Sequence, residues 1–83
     1  MNGSAEFSSI ERERLLALKG VGPTVIARLE EVGIGSLTDL AMQDPDDICL
    51  RVSLLLGASC WRNSPQSRAA INAAVDCARA TTG

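Results

Sequence analysis

Residues 18–37 read LKGVGPTVIARLEEVGIGSL. Without Gly20-Val21-Gly22-Pro23 at its head, the stretch has the pattern of one amphipathic helix. Glycine weakens a helix and proline ends one, so a break falls at this point. Pro23 is at home in a first helical turn. Val25, Ile26, Leu29 and Val32 follow at the three-four spacing of a buried stripe. Gly33 reads as the left-handed cap that stops this helix. The break is therefore a corner between two helices.

Working outward, Ser8 and Glu11 form a capping box, which predicts a helix from about Ser9 to Leu18. Ile10, Arg14, Ala17 and Leu18 fall along one side of it, and the ERER run at 11–14 reads as solvent-facing. Ser36 with Asp39 starts a short helix to about Met42. Asp44-Pro45-Asp46-Asp47 is a strong start signal, since a cap, a proline and two carboxylates all suit the positive end of a helix dipole. This helix runs to about Leu56 and stops at Gly57. Ile48, Val52, Leu55 and Leu56, with Leu50 and Leu54 on the other side, make it apolar nearly all round. That predicts the central helix, packed on both faces. A loop, GASCWRNS, covers 57–64. Ser64-Pro65 opens a last helix to about Ala80, with Ile71, Ala74, Val75 and Ala78 inside and Arg68, Asn72, Asp76 and Arg79 outside. No run alternates as a strand does. The expectation is an all-α, compact five-helix domain. Pro23-Ala27-Leu29 and Pro65-Ala69-Ile71 share one spacing, the basis for expecting a degenerate second copy of the corner about a pseudo-twofold axis.

Eighty-three residues suit one domain, whose core is thin because so short a chain buries only about 60% of its unfolded surface. Hydrophobic residues make up 46%, with one Phe and one Trp, so the core is aliphatic. The net charge of −2 argues against a strong nucleic-acid binder, though not against a weak one with its few cations on one face. Cys49, Cys60 and Cys77 are an odd number without a CxxC pair. With no His to join them, a zinc site is not expected. Absence of a leader or a membrane-spanning run points to reduced thiols in a cytoplasm. Residues 1–7 read as a vector-derived remnant or a disordered terminus, 8–80 as the single domain and 81–83 as a disordered end.

Two glycines one residue apart permit a tight turn and leave no side chain over the main chain. Amides of the turn and of the helix start after Pro23 can then converge. Free amides at a helix start carry partial positive charge and bind anions, a phosphate oxygen above all. Thr24 adds a hydroxyl, and Val21 tucks inward as an anchor. The opposing reading is that the glycines only let two helices approach closely.

The wider frame is Leu15, Lys19, Gly20-Val21-Gly22-Pro23, Ala27, Leu29, Gly33-Ile34 and Leu37, Asp39, Leu40. It resembles the helix-hairpin-helix motif of DNA-repair and DNA-processing proteins. GVGP followed by GIGSLTDL is similar to the hairpin of the X-family repair polymerases. The whole chain also looks like small bacterial helix-hairpin-helix proteins of the pathogenicity-locus or mitomycin-resistance type. The motif covers about Leu15 to Leu40, roughly a third of the chain. The looser likeness beyond it lies mostly in QDPDDICLRVSLLLG, residues 43–57. The resemblance implies a SAM-like fold and sequence-independent contact with a DNA backbone. By position the contacts fall to Lys19, Gly20, Val21, Gly22, Thr24 and Arg28. It also implies, for some members, a monovalent cation (K+ or Na+) at hairpin carbonyls, here those of Leu16, Leu18 and Val21. This chain departs from strong binders in having Thr24, Val25 and Ile26 after the turn, where basic residues are common, and Glu30 and Glu31 close behind.

Other residues have plainer readings. Arg12 and Arg14 are taken as neutralised by Glu11, Glu13, Glu30 and Glu31 as exposed helix pairs, leaving Lys19 and Arg28 beside the phosphate site. Asp44, Asp46 and Asp47 serve as capping and dipole residues rather than as metal ligands. Trp61 closes one end of the core, with Arg62 beside it, and Cys60 is structural. No nucleophile–base pair is in view, so catalysis is not expected. The leading expectation is a non-enzymatic DNA-backbone-binding module connected with repair or recombination. The rival is a protein-interaction or scaffold domain, or a homodimer, in which the glycine turn is only a corner.

Overall fold

Local caps set the helices before any packing is considered. The computed structural model describes residues 6–57 and 63–82. Among them lie five helices and no strand: α1 (Ser9–Leu16), α2 (Pro23–Glu31), α3 (Leu37–Ala41), α4 (Pro45–Leu56) and α5 (Pro65–Thr82). The all-α class and the helix starts agree with the sequence reading. Ser8, Ser36 and Asp44 each cap with a side-chain oxygen, accepting from Glu11, Asp39 and Asp46 amides. α2 ends in a Schellman arrangement, in which the Gly33 amide donates to Glu30 and the Ile34 amide to Leu29. α5 continues through 81 and 82, past the expected end at Ala80.

Packing departs from expectation in three places. The first is α4, which is not central. It buries Ile48, Cys49, Val52 and Ser53 but leaves Leu54 72% and Leu55 50% exposed, with Leu50 and Leu56 also at the surface. The central element is α5, which packs on α2, α3 and α4 through Ala70, Ile71, Ala74, Val75 and Ala78. The cause is side-chain size. An alanine-rich stripe lets three helices approach one axis, whereas the leucines of α4 are too many for its single inner face.

The second departure is α1. It buries only Leu15, while Ile10 is 66% exposed, so the side drawn through Ile10, Arg14, Ala17 and Leu18 is not the packed one. Leu18 packs only partly against the core. Thirdly, Phe7, set aside with the first seven residues, is buried in the aliphatic core beside this helix.

The radius of gyration, 11.7 Å, is that of a compact domain of this length, for which about 12 Å is expected. No helix among the described residues is long and apolar enough to cross a membrane. The second, degenerate hairpin would turn through residues 58–62. That turn, with Cys60, Trp61 and Arg62, lies outside the described residues.

Candidate nucleic-acid interface

The corner between α1 and α2 is built by backbone geometry. The Leu18 amide donates to Leu15 at 3.1 Å, and the Val21 amide donates back to Leu18 at 3.2 Å, closing a turn over Lys19 and Gly20. Gly20 has φ of +86°, a left-handed conformation that side chains disfavour. Val21 is 6% exposed and ties the turn to the core, as expected. Its own N–H is committed to Leu18 and is not offered outward, which narrows the set of contact amides.

What remains open is the row on either side. The N–H groups of Gly20, Gly22, Thr24 and Val25 have no hydrogen-bond partner among the described residues. Gly22 is the N-cap of α2, with no side-chain cap, and its carbonyl accepts from Ile26 at 3.3 Å. Its φ of −119° suits any residue. A Cβ built on Gly22 would meet nothing within 4 Å, and the same holds at Gly20. The glycines therefore do not serve the close approach of two helices. At both positions the surroundings of a Cβ are open. The helix dipole of α2 adds partial positive charge at the same spot.

The side chains around the turn divide. Lys19 is exposed and makes no ion pair among the described residues. Thr24 is exposed at the first turn of α2. Arg28 is not free. Its Nη1 lies 2.6 Å from a Glu31 carboxylate oxygen, and its buried Nε has no partner. Lys19 and Gly20 also form one wall of an open groove of about 500 Å³. Gln66, Ala69 and Ala70 at the start of α5 form the other wall. Small side chains there keep the floor accessible.

The other cations are mostly engaged inside the protein. Arg12 pairs with Glu30 of α2 at 3.4 Å, one of the glutamates expected to neutralise it, and the contact joins two helices. Arg51 donates to the Val32 carbonyl at 2.6 Å, at the end of α2. Arg79 donates to the Ala41 and Gln43 carbonyls at the end of α3. Arg68 pairs with Asp46. Beside Lys19, only Arg14 among the described basic residues lacks such a partner.

Two acidic residues have roles that sequence reading missed. Glu11 does not simply face solvent within the ERER run. One of its oxygens accepts from Ser8, and the other accepts the Leu37 amide at 2.8 Å, at the start of α3. Glu30 accepts the Phe7 amide at 3.0 Å. The capping box signalled the first bond of Glu11. Nothing local signalled partners 26 and 23 residues away.

For a monovalent cation, the oxygen donors are of the right hard type. Leu18 has one lone pair engaged by Val21, and the carbonyls of Leu16 and Val21 accept no hydrogen bond among the described residues. These three carbonyls fit such a group chemically. Asp44 caps α4, and among the described residues no group of three or more His, Cys, Asp or Glu could hold a metal.

Residues 12–51 match a family model described as a SAM-like helix-hairpin-helix tandem. The match runs from Arg12 in α1 to Arg51 in α4, a little under half of the chain, and contains the whole turn. It supports placing this chain in the helix-hairpin-helix superfamily, and the five-helix fold fits that description. No curated protein matches the chain, and no solved structure does.

Proposed function

We propose that this chain is a non-enzymatic module that contacts DNA through its phosphate backbone, without reading bases. One observation carries the reading. Gly22 is required neither by its φ nor by any internal neighbour, and it starts α2 without a side-chain cap, beside the free amides of Gly20, Gly22, Thr24 and Val25. A phosphate oxygen placed there meets several donors, the positive end of α2 and the Lys19 ammonium. Contacts of this kind position a protein on a duplex and carry no sequence information. When a K+ or Na+ is bound, the carbonyls of Leu16, Leu18 and Val21 would hold it, and it would supply charge toward the phosphate. The helix-hairpin-helix match is consistent with DNA binding in general. The connection with repair or recombination, and with the bacterial pathogenicity-locus type, rests on the sequence resemblance.

Because most arginines are engaged internally, binding is weak, at or beyond ~10⁻⁴ M at physiological salt. An NMR titration with a short duplex at two salt concentrations tests this. Shifts at the Gly20 and Gly22 amides, lost in Gly22→Asp, are the expected result. Shifts that the variant leaves unchanged place the contact elsewhere, and no shifts at low salt end the reading for this chain.

A second reading has its own support. The exposed leucines of α4 are the kind of apolar surface that protein partners cover, and the net negative charge suits such a partner as well as it suits DNA poorly. In that reading the chain is an interaction or scaffold domain, or pairs with a second copy of itself. Concentration-dependent sedimentation, with and without Leu54→Lys, separates a self-associating chain from a monomer.

A further inference from the structure

α1 supplies one arm of the corner, yet its hold on the body is unusual. It buries a single side chain, Leu15, and its main packing is on α2. A helix of eight residues is marginal by itself, so most of its stability must come from tertiary contacts. Beside the buried Leu15, and Phe7 just ahead of the helix, two carboxylates make the remaining long-range contacts. Glu11 reaches from α1 to the Leu37 amide of α3. Glu30 reaches from α2 to the Phe7 amide just ahead of α1, and also meets Arg12. Each carboxylate bridges segments far apart in the chain. Charge-assisted bonds to backbone N–H are the stronger sort of hydrogen bond and are directional. α5, by contrast, is held by five buried side chains, to which the Arg79 bonds to the Ala41 and Gln43 carbonyls are an addition.

We propose that Glu11 and Glu30 act as latches that position α1, so that the hairpin's first helix opens and closes as a unit while α2–α5 remain packed. Glu11 is then a positioning residue for the turn amides. It touches no phosphate, but the turn at 17–22 keeps its shape only while α1 is closed. The last step rests on the DNA reading above. The latch itself does not.

Hydrogen exchange on the whole chain tests it, without DNA. In Glu11→Ala, the amides from Arg12 to Leu16 are expected to exchange at least tenfold faster, with those of Ile71 to Ala78 unchanged. Glu11→Gln, which keeps one acceptor oxygen, falls between. Equal acceleration in α1 and α5 overturns the proposal, because Glu11 would then act on global stability alone. No acceleration in α1 also overturns it. Where Glu11→Ala does not fold, the same comparison on Glu11→Gln decides by the same two criteria. Added duplex gives the functional arm: wild-type α1 amides slow, and the Gly22 shifts of the variant weaken in step with its open fraction. A wild-type chain whose amides ignore duplex ends the DNA reading and leaves the latch standing. Uniform exchange ends the latch even where duplex binds.

Discussion

At the scale of one residue, Gly22 separates fold from function more cleanly than any other position. It caps α2 with no side chain, in an extended conformation open to every residue. Aspartate is among the best N-cap residues and favours the positive helix end, so Gly22→Asp should hold or raise stability by about 0.5 kcal/mol. The same carboxylate repels a phosphate. Thermal melts and duplex titrations of one variant should thus move in opposite directions. Gly20 behaves differently, because its φ of +86° penalises any Cβ. Gly20→Ala should cost about 1–2 kcal/mol in denaturant melts although nothing stands in the way of the methyl. Cys49 offers a chemical check on burial. Desolvation first of all pushes its thiol above the ordinary cysteine value, with Asp46 adding to the rise and Arg68 opposing it. Cys49 should therefore react with a thiol reagent more slowly than the half-buried Cys77.

At the scale of the element, starts and stops were legible and attachments were not. Serine, aspartate, proline and glycine act on amides within three or four residues, so the caps of α1 to α4 follow from spacing alone. Arg51 and Arg79 also end helices, but they do so from other helices, and no local pattern announces it. The same is true of Glu11. Its bond from Leu37 is the main cause that holds its carboxyl below the usual glutamate value, with Ser8 assisting and desolvation opposing. A depressed acid contributes stability that is present above the unfolded value, about 4.3, and is lost as pH falls through the lower folded one. The stability difference between wild type and Glu11→Gln should therefore be larger at pH 6 than at pH 3, as read from melts at the two values.

At the scale of the whole molecule, two quantities follow from how the pieces meet. The first is core stability. Ile71 is fully buried on the central helix, and Ile71→Ala should cost about 2–5 kcal/mol. A domain of this length has only about 4–12 kcal/mol in total, so the variant should melt far earlier or fail to fold. The second is electrostatic reach. With Lys19 the one unpaired cation at the turn among the described residues, the proposed contact would engage one or two phosphates. The logarithm of affinity should fall with that of salt at a slope of about −1 to −2, as isothermal titration at several salt concentrations would show. A steep slope would mean a basic surface other than the hairpin.

The sequence by itself determined the helices, their caps, the aliphatic core and the corner at Gly20-Val21-Gly22-Pro23. Each of these depends on interactions within a few residues or on a periodicity that one face imposes. Only the tertiary structure decided which helix is central, which leucines stay wet and which amides stay free. It alone showed that Arg28 faces Glu31 and that Glu11 reaches Leu37. Those outcomes depend on which surfaces meet after the chain has turned back on itself. A side chain's partner across 26 residues is fixed by the packing of whole helices, and spacing along the chain carries no record of it.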